Sequence, residues 1–260
     1  MKNIKKYGKS PYEIVVLHGG PGAPGSAAPI AEELSSKYGV MEPYQSENSV
    51  QGQIAELNKR IENYAQTPLI VIGWSWGAWL GFLYAAKFPQ KVKKLILVSS
   101  GPFEERFVEE MMQKRMSRLT KKEKEQIELI QNQLEDPSIN NKDKIFGKFG
   151  QLFQKTDNFA PISSISTTIE TQFDIYKSVW TEAARLRRSG ALLNFGRDIK
   201  CPTVVIHGDY DPVPYDGVRE PLSEVMENIS FHLLEKCGHD PWNEMFAREK
   251  FFQILYQEID

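Results

Sequence analysis

The chain has 260 residues, 41% of them hydrophobic and 25% charged, and its 32 Lys and Arg against 34 Asp and Glu leave a net charge of −2. That length fits one large domain, or a core carrying a sizeable insertion, and the composition is that of an ordinary globular protein. The near balance of charge points away from nucleic acid or an anionic membrane surface as a partner, and no apolar run approaches the roughly 18–20 residues a membrane-spanning helix needs. The basic stretch Met1 to Lys9 leads into a short β-like run, not an apolar segment with a small-residue cleavage site, so no signal peptide and a cytoplasmic location are expected.

Tyr12 to Leu17 is a β-branched apolar run stopping at His18-Gly19-Gly20-Pro21-Gly22, which predicts a buried strand entering a tight loop. Helical character over Ala27 to Tyr38 is followed by a weak strand, Gly39 to Pro43. Ile54, Leu57, Ile61 and Tyr64 recur at spacings of three and four, so an amphipathic helix is expected over Ser49 to Tyr64. Leu69-Ile70-Val71-Ile72 is a continuous apolar strand of the kind buried on both faces. After Gly73-Trp74-Ser75-Trp76-Gly77, a helix over Ala78 to Phe88 and a strand over Val92 to Ser99 complete an alternation that predicts an α/β fold with a doubly wound, mostly parallel sheet.

The alternation breaks over residues 102–195, which hold no convincing strand. Glu104 to Lys148 carry ten acidic and ten basic residues in interleaved order, the pattern of solvated helical faces. An aromatic-rich stretch from Phe146 to Trp180 follows. This region reads as a helical cap inserted into a core made of residues 1–101 and 196–260. Strand and helix resume with Pro202 to His207, a helix over Asp216 to Glu227, a strand over Ile229 to Leu234, and a last helix from Pro241 to about Gln257. Cys201 and Cys237 fall at opposite ends of neighbouring strands, too far apart for a disulfide, and lack metal-ligand spacing. No metal or cofactor is expected.

A serine hydroxyl becomes a useful nucleophile only with a base beside it, donors for the oxyanion and exposure at a strand end. Gly73-Trp74-Ser75-Trp76-Gly77 supplies the exposure, because it carries a strand into a helix through a sharp turn flanked by two glycines. The turn sets Ser75 at a helix N-terminus, where backbone N–H groups favour negative charge. The acid and then the histidine should follow in chain order. His239 lies in a loop past the last strand and is the expected base, whereas His232 falls inside that strand. Asp209 and Asp211 both follow the preceding strand. Asp211 is preferred for orienting the imidazole, with Asp209 as the organiser of the turn. The oxyanion donors expected are the N–H of Trp76, directly after the serine, and that of Gly20 in the early loop.

Taken together, these residues resemble the α/β-hydrolase superfamily and, within it, proline iminopeptidases and their relatives. His18 to Gly22 match their His-Gly-Gly-Pro-Gly loop, and Ser75-Trp76-Gly77 matches their nucleophile turn with Trp after Ser. The resemblance covers about residues 12–101 and 196–258, and it implies the triad Ser75, Asp211, His239 with an oxyanion hole from Gly20 and Trp76. Met41 to Gln45 lacks the Asp-x-Arg-Gly segment usual in those aminopeptidases, and the superfamily's first strand hairpin is expected to be missing. Trp74, Trp180 and Glu182 are the candidate substrate-binding residues, Glu182 as the analogue of a cap carboxylate that recognises a free amine. The expectation is a serine hydrolase acting on an ester or amide of a small, partly apolar molecule. An aminopeptidase, a carbon–carbon bond hydrolase and a non-catalytic binder on the same fold are the alternatives.

Overall fold

The computed structural model describes residues 4–162 and 170–260. Its strands are β1 (Ile4–Tyr7), β2 (Tyr12–Leu17), β3 (Gly39–Pro43), β4 (Leu69–Trp74), β5 (Val92–Val98), β6 (Thr203–Gly208) and β7 (Ile229–Leu234). Its α-helices are α1 (Ala28–Leu34), α2 (Val50–Tyr64), α3 (Trp76–Lys87), α4 (Val108–Ser117), α5 (Lys121–Glu135), α6 (Lys142–Asp157), α7 (Phe173–Arg188), α8 (Ala191–Asn194), α9 (Asp216–Val225) and α10 (Arg248–Ile259). The strands form one seven-stranded sheet in the order β1-β3-β2-β4-β5-β6-β7. Every neighbouring pair is parallel except β1 with β3.

The apolar runs of the central strands divide by residue parity, as the period of two requires. Val15, Leu17, Val71, Leu95, Leu97 and Val205 enter the same buried cluster as α2, α3 and α9 residues. Ile14, Val16, Ile70, Ile72, Ile96, Val98, Val204 and Ile206 enter the other, with α1 and α10. Both faces are therefore covered by helices, which is why these strands read as unbroken hydrophobic runs instead of alternating ones.

The sheet carries one strand beyond those expected from the sequence. Ile4–Tyr7 supplies an antiparallel edge strand, with Ile4 opposite Pro43 and Tyr7 opposite Val40. Lys5 and Lys6 are exposed there and only Tyr7 is buried, so the strand carries no apolar run to announce it. Charged residues suit a sheet edge because they discourage pairing with another chain.

Among the described residues, the connection from β5 to β6 is helical, with one isolated bridge between Pro161 and Glu244. Ile130, Leu134, Phe146 and Phe173 make a small apolar cluster of their own. Ile175, Val179 and Ala183 on α7 join the main core instead, as do Met111 of α4 and Leu192 of α8, and through these this region packs down. The interleaved charges are largely surface pairs, such as Lys114 with Glu110 and Lys177 with Glu135. Both cysteines are free and buried. No described helix is long and apolar enough to cross a membrane.

Candidate active site

The turn after β4 is shaped by steric exclusion. A Cβ on Gly73 would lie 2.1 Å from the Gly77 carbonyl oxygen, and one on Gly77 would lie 2.2 Å from that of Leu17. Neither position accepts a side chain, so the start of α3 presses directly on the ends of β2 and β4. Ser75 takes φ 56° and ψ −117°, a conformation costly for a residue with a side chain. Its N–H donates to the Val98 carbonyl at 3.0 Å, which ties the turn to the neighbouring strand. α3 begins at Trp76, directly after the serine.

His239 comes from the loop after β7. Its Nδ1 lies 2.8 Å from Asp211 Oδ2, and its Nε2 lies 3.1 Å from Ser75 Oγ. With Nδ1–H donating to the carboxylate, Nε2 is left to accept the serine proton. Asp211 Oδ1 accepts from the Val213 N–H at 2.9 Å. Asp209 takes the turn-organising place: its Oδ1 accepts from the Cys237 N–H at 3.1 Å. Burial alone would raise the Asp211 carboxyl, but the facing His239 and the Val213 N–H hold it below the ordinary range. Burial alone would lower His239, but Asp211, with Asp157 and Asp240 adding to it, holds the imidazole above its ordinary value.

His207, near the end of β6, is fully buried beside this acid. Its Nε2 donates to the Val213 carbonyl at 2.9 Å and lies 3.8 Å from Asp211 Oδ2. Burial lowers its pKa, against the pull of the nearby Asp211. Its bond to the Val213 carbonyl braces the loop that carries Asp211.

The loop after β2 is built around His18. Its Nδ1–H donates to the Gly19 carbonyl at 2.8 Å, and its Nε2 accepts from the Gln45 N–H at 3.4 Å. Burial pushes this imidazole down to about 4, so it is neutral. Gly20 has φ 113°. Among the described residues neither the Gly20 nor the Trp76 N–H has a protein acceptor. The Trp76 indole donates to Gln53 Oε1 at 3.0 Å, which anchors the residue after the serine.

The three candidate substrate-binding residues fall into different places. Trp74 stands between the two loops of the site. Its indole N–H donates to the His239 carbonyl at 2.9 Å, and a Cβ on Gly19 would lie 2.5 Å from its ring. Trp180 stacks on Trp79 at 5.5 Å between ring centroids and runs on to Tyr176. Glu182 is engaged elsewhere: its Oε2 accepts from the Val50 N–H at 2.8 Å, at the start of α2. It caps a helix whose first N–H groups have no intrahelical partners.

The last helix begins at Arg248, not at Pro241, and the intervening residues take up other bonds. The Met245 N–H donates to the Ala160 carbonyl at 2.9 Å. The Glu244 carboxylate is fully buried and accepts from the N–H groups of Gly238, Phe159 and Ala160 at 2.6–2.8 Å. The segment after α6 is thereby joined to the loop that carries His239. Nothing in the local sequence of Glu244 signals this.

The alpha/beta hydrolase fold family matches residues 52–242 of this chain. A 2-hydroxy-6-oxononadienedioate/2-hydroxy-6-oxononatrienedioate hydrolase of Paraburkholderia xenovorans (strain LB400) is 27% identical over 270 residues, covering 95% of this chain and 86% of the relative. The solved structure of a putative lipase from Acinetobacter baumannii AYE superposes with a TM-score of 0.65 at 17% identity, over 98% of this chain and 89% of that one. That of a meta-cleavage product hydrolase from Pseudomonas fluorescens IP01 does so with a TM-score of 0.64 at 16% identity, over 99% and 94%. This chain belongs to the α/β-hydrolase fold family and is a hydrolase of that fold.

Proposed function

We propose that the chain is a serine hydrolase in which Ser75 is the nucleophile, His239 the general base and Asp211 the group that orients it. The observation that carries this reading is the continuous hydrogen-bonded line Ser75 Oγ to His239 Nε2 at 3.1 Å and His239 Nδ1 to Asp211 Oδ2 at 2.8 Å. Ser75 Oγ attacks a carbonyl carbon while His239 takes its proton. The N–H groups of Gly20 and Trp76 hold the resulting oxyanion, an interaction whose loss typically costs about 10²–10³ in rate per donor. His239 then gives the proton to the leaving group, and water, activated by the same imidazole, releases the acyl product. Residues 102–195 act as a cap over this site. The substrate is a small, partly apolar molecule, in keeping with Trp76, Trp79, Trp180 and Tyr176 packed side by side near the turn.

A second reading, carbon–carbon bond hydrolysis, is favoured by the names of the curated relatives. The diacid in those names carries a ketone but no ester or amide, so its hydrolysis must break a carbon–carbon bond. The aminopeptidase reading is the weaker alternative, because Glu182 is engaged in capping α2 and is not presented to a substrate amine.

Fluorophosphonate labelling of the folded protein, with the modified residue identified by mass spectrometry, tests the nucleophile. The expected result is one adduct, on Ser75. A folded chain that takes no adduct overturns the serine reading and favours a binding protein. Turnover of p-nitrophenyl esters against a 2-hydroxy-6-oxo-dienoate then separates the two hydrolytic classes.

A further inference from the structure

The segment 157–162 and the loop 238–245 lie side by side. The His239 N–H donates to the Asp157 carbonyl at 2.8 Å, and the Ile162 N–H donates to that of Asn243 at 2.7 Å. Asn158 and Asp240 bond each other twice, side chain to side chain at 3.0 Å and Asp240 N–H to Asn158 Oδ1 at 3.2 Å. The contact is too close for a side chain at Gly238, where a Cβ would lie 2.1 Å from the Asp157 carbonyl oxygen. Asp157 is in turn held by Arg115 of α4 through two bonds, 3.0 and 2.6 Å. Arg118 of the same helix donates to the Thr156 carbonyl at 2.7 Å.

Glu244 closes this joint. Its Oε1 accepts from Gly238 N–H on the histidine side and Phe159 N–H on the cap side, and its Oε2 accepts from Ala160 N–H. A carboxylate offers acceptors on both oxygens, so it satisfies all three donors at once. A carboxamide has a single acceptor oxygen and would turn its NH₂ toward at least one N–H. A buried polar group left without its partner carries the full desolvation cost, so the mismatch would reopen the joint.

We propose that Glu244 is a positioning residue for the hydrolysis. It acts through Gly238 and the Asp157–Ala160 segment to hold the His239 imidazole between Asp211 and Ser75, and it makes the cap and the base one mechanical unit. The inference rests on the serine-hydrolase reading for its effect on turnover, but not for its effect on His239. A displacement of about 1 Å at the base is enough to cost on the order of 10²-fold.

The test compares wild type with Glu244→Gln and with Ala160→Pro, which removes one of the three donors. Fluorophosphonate labelling of Ser75 is expected to slow by about 10–100-fold in Glu244→Gln and by a smaller factor in Ala160→Pro. Ester turnover should lose kcat with KM within about two-fold. The low-field proton resonance of the His239–Asp211 hydrogen bond should broaden in Glu244→Gln while the sheet amides keep their protection from exchange. A merely structural Glu244 would lower stability and leave that resonance and the kcat-to-KM split unmoved, and this result overturns the proposal. Should Glu244→Gln not fold, unchanged labelling in Ala160→Pro overturns it equally. A wild type that shows the resonance but takes no label defeats the serine reading instead and leaves the positioning role standing.

Discussion

The two halves of the candidate site are held by different physics. The Ser75 turn is fixed by exclusion: Gly73 and Gly77 leave no room for any other approach of α3 to the sheet, and the apolar runs of the flanking strands lie inside the core. The His239 loop is also close-packed at Gly238, but against the segment after α6 and not against the sheet. It is held by polar bonds to Asp157, Asn158, Phe159 and Ala160, residues 82 to 85 positions distant for the side-chain contacts. On the proposed reading, the nucleophile is therefore set by the packing of the core. The proposed base is placed by contacts with residues 157–160, between β5 and β6, so its position is expected to be separable from the stability of the sheet.

The largest expected effect breaks the nucleophile half chemically. Ser75→Ala should lower turnover by at least about 10⁴-fold and abolish fluorophosphonate labelling. Thermal unfolding should barely change, because among the described residues the Oγ has only the His239 hydrogen bond to lose. Next in size is a steric break of the same half. Gly73→Ala brings a methyl to 2.1 Å from backbone, where nothing flexible can yield. It should destabilise the fold by about 3 kcal/mol, read as a lowered midpoint in denaturant with activity lost in step. Residual activity in a stable Gly73→Ala protein would show that the turn tolerates the shift and that the contrast between the halves is weaker than drawn.

The same contrast explains what was legible in the sequence. The strands of the parallel sheet, the Ser75 turn and the order Asp211 then His239 are local patterns, and each maps onto an element of the fold. β1 was missed because Lys5 and Lys6 face solvent at the edge and leave no apolar run. The start of the last helix was misplaced because Glu244 and Met245 bond the segment after α6 instead of continuing a helix from Pro241. Glu182 looked like an amine-binding carboxylate because its partner, the Val50 N–H, lies 132 positions away. Arg115 with Asp157, and Glu244 with the Phe159 and Ala160 N–H groups, are invisible for the same reason: a carboxylate bound to distant N–H groups imposes no local spacing. His207 was read as a strand end, since nothing in the sequence shows its ring turned toward the Asp211 loop.

A smaller effect probes the histidine half through its charge. His239 must be neutral to accept the Ser75 proton. Its pKa is raised in the folded protein, so kcat/KM should fall as pH falls through a midpoint above the ordinary 6.5, and level off above that midpoint. Asp240, whose own carboxyl burial pushes up to about 6, contributes to this elevation when ionised. Asp240→Asn keeps an acceptor for Asn158 and removes the charge. The acidic limb should move to lower pH by less than about one unit, with the plateau little altered. A limb that does not move would assign the elevation to Asp211 and Asp157.

The smallest expected effect uses the other histidine of this sheet edge. His232 lies within β7, with its ring partly exposed and its Nε2 3.5 Å from Glu258 Oε1 of α10. A half-exposed pair of this kind contributes on the order of 1 kcal/mol or less. The residue belongs to the strand register, opposite Ile206, whereas His239 is carried beyond the strand end by the loop through Lys236 and Gly238. His232→Ala should therefore label at Ser75 within about two-fold of the wild-type rate and unfold at nearly the wild-type temperature. Because the sheet half and the loop half differ in what places their histidines, this variant isolates the loop: loss of labelling in a folded His232→Ala protein would move the base from the loop to the strand and dissolve the distinction between them.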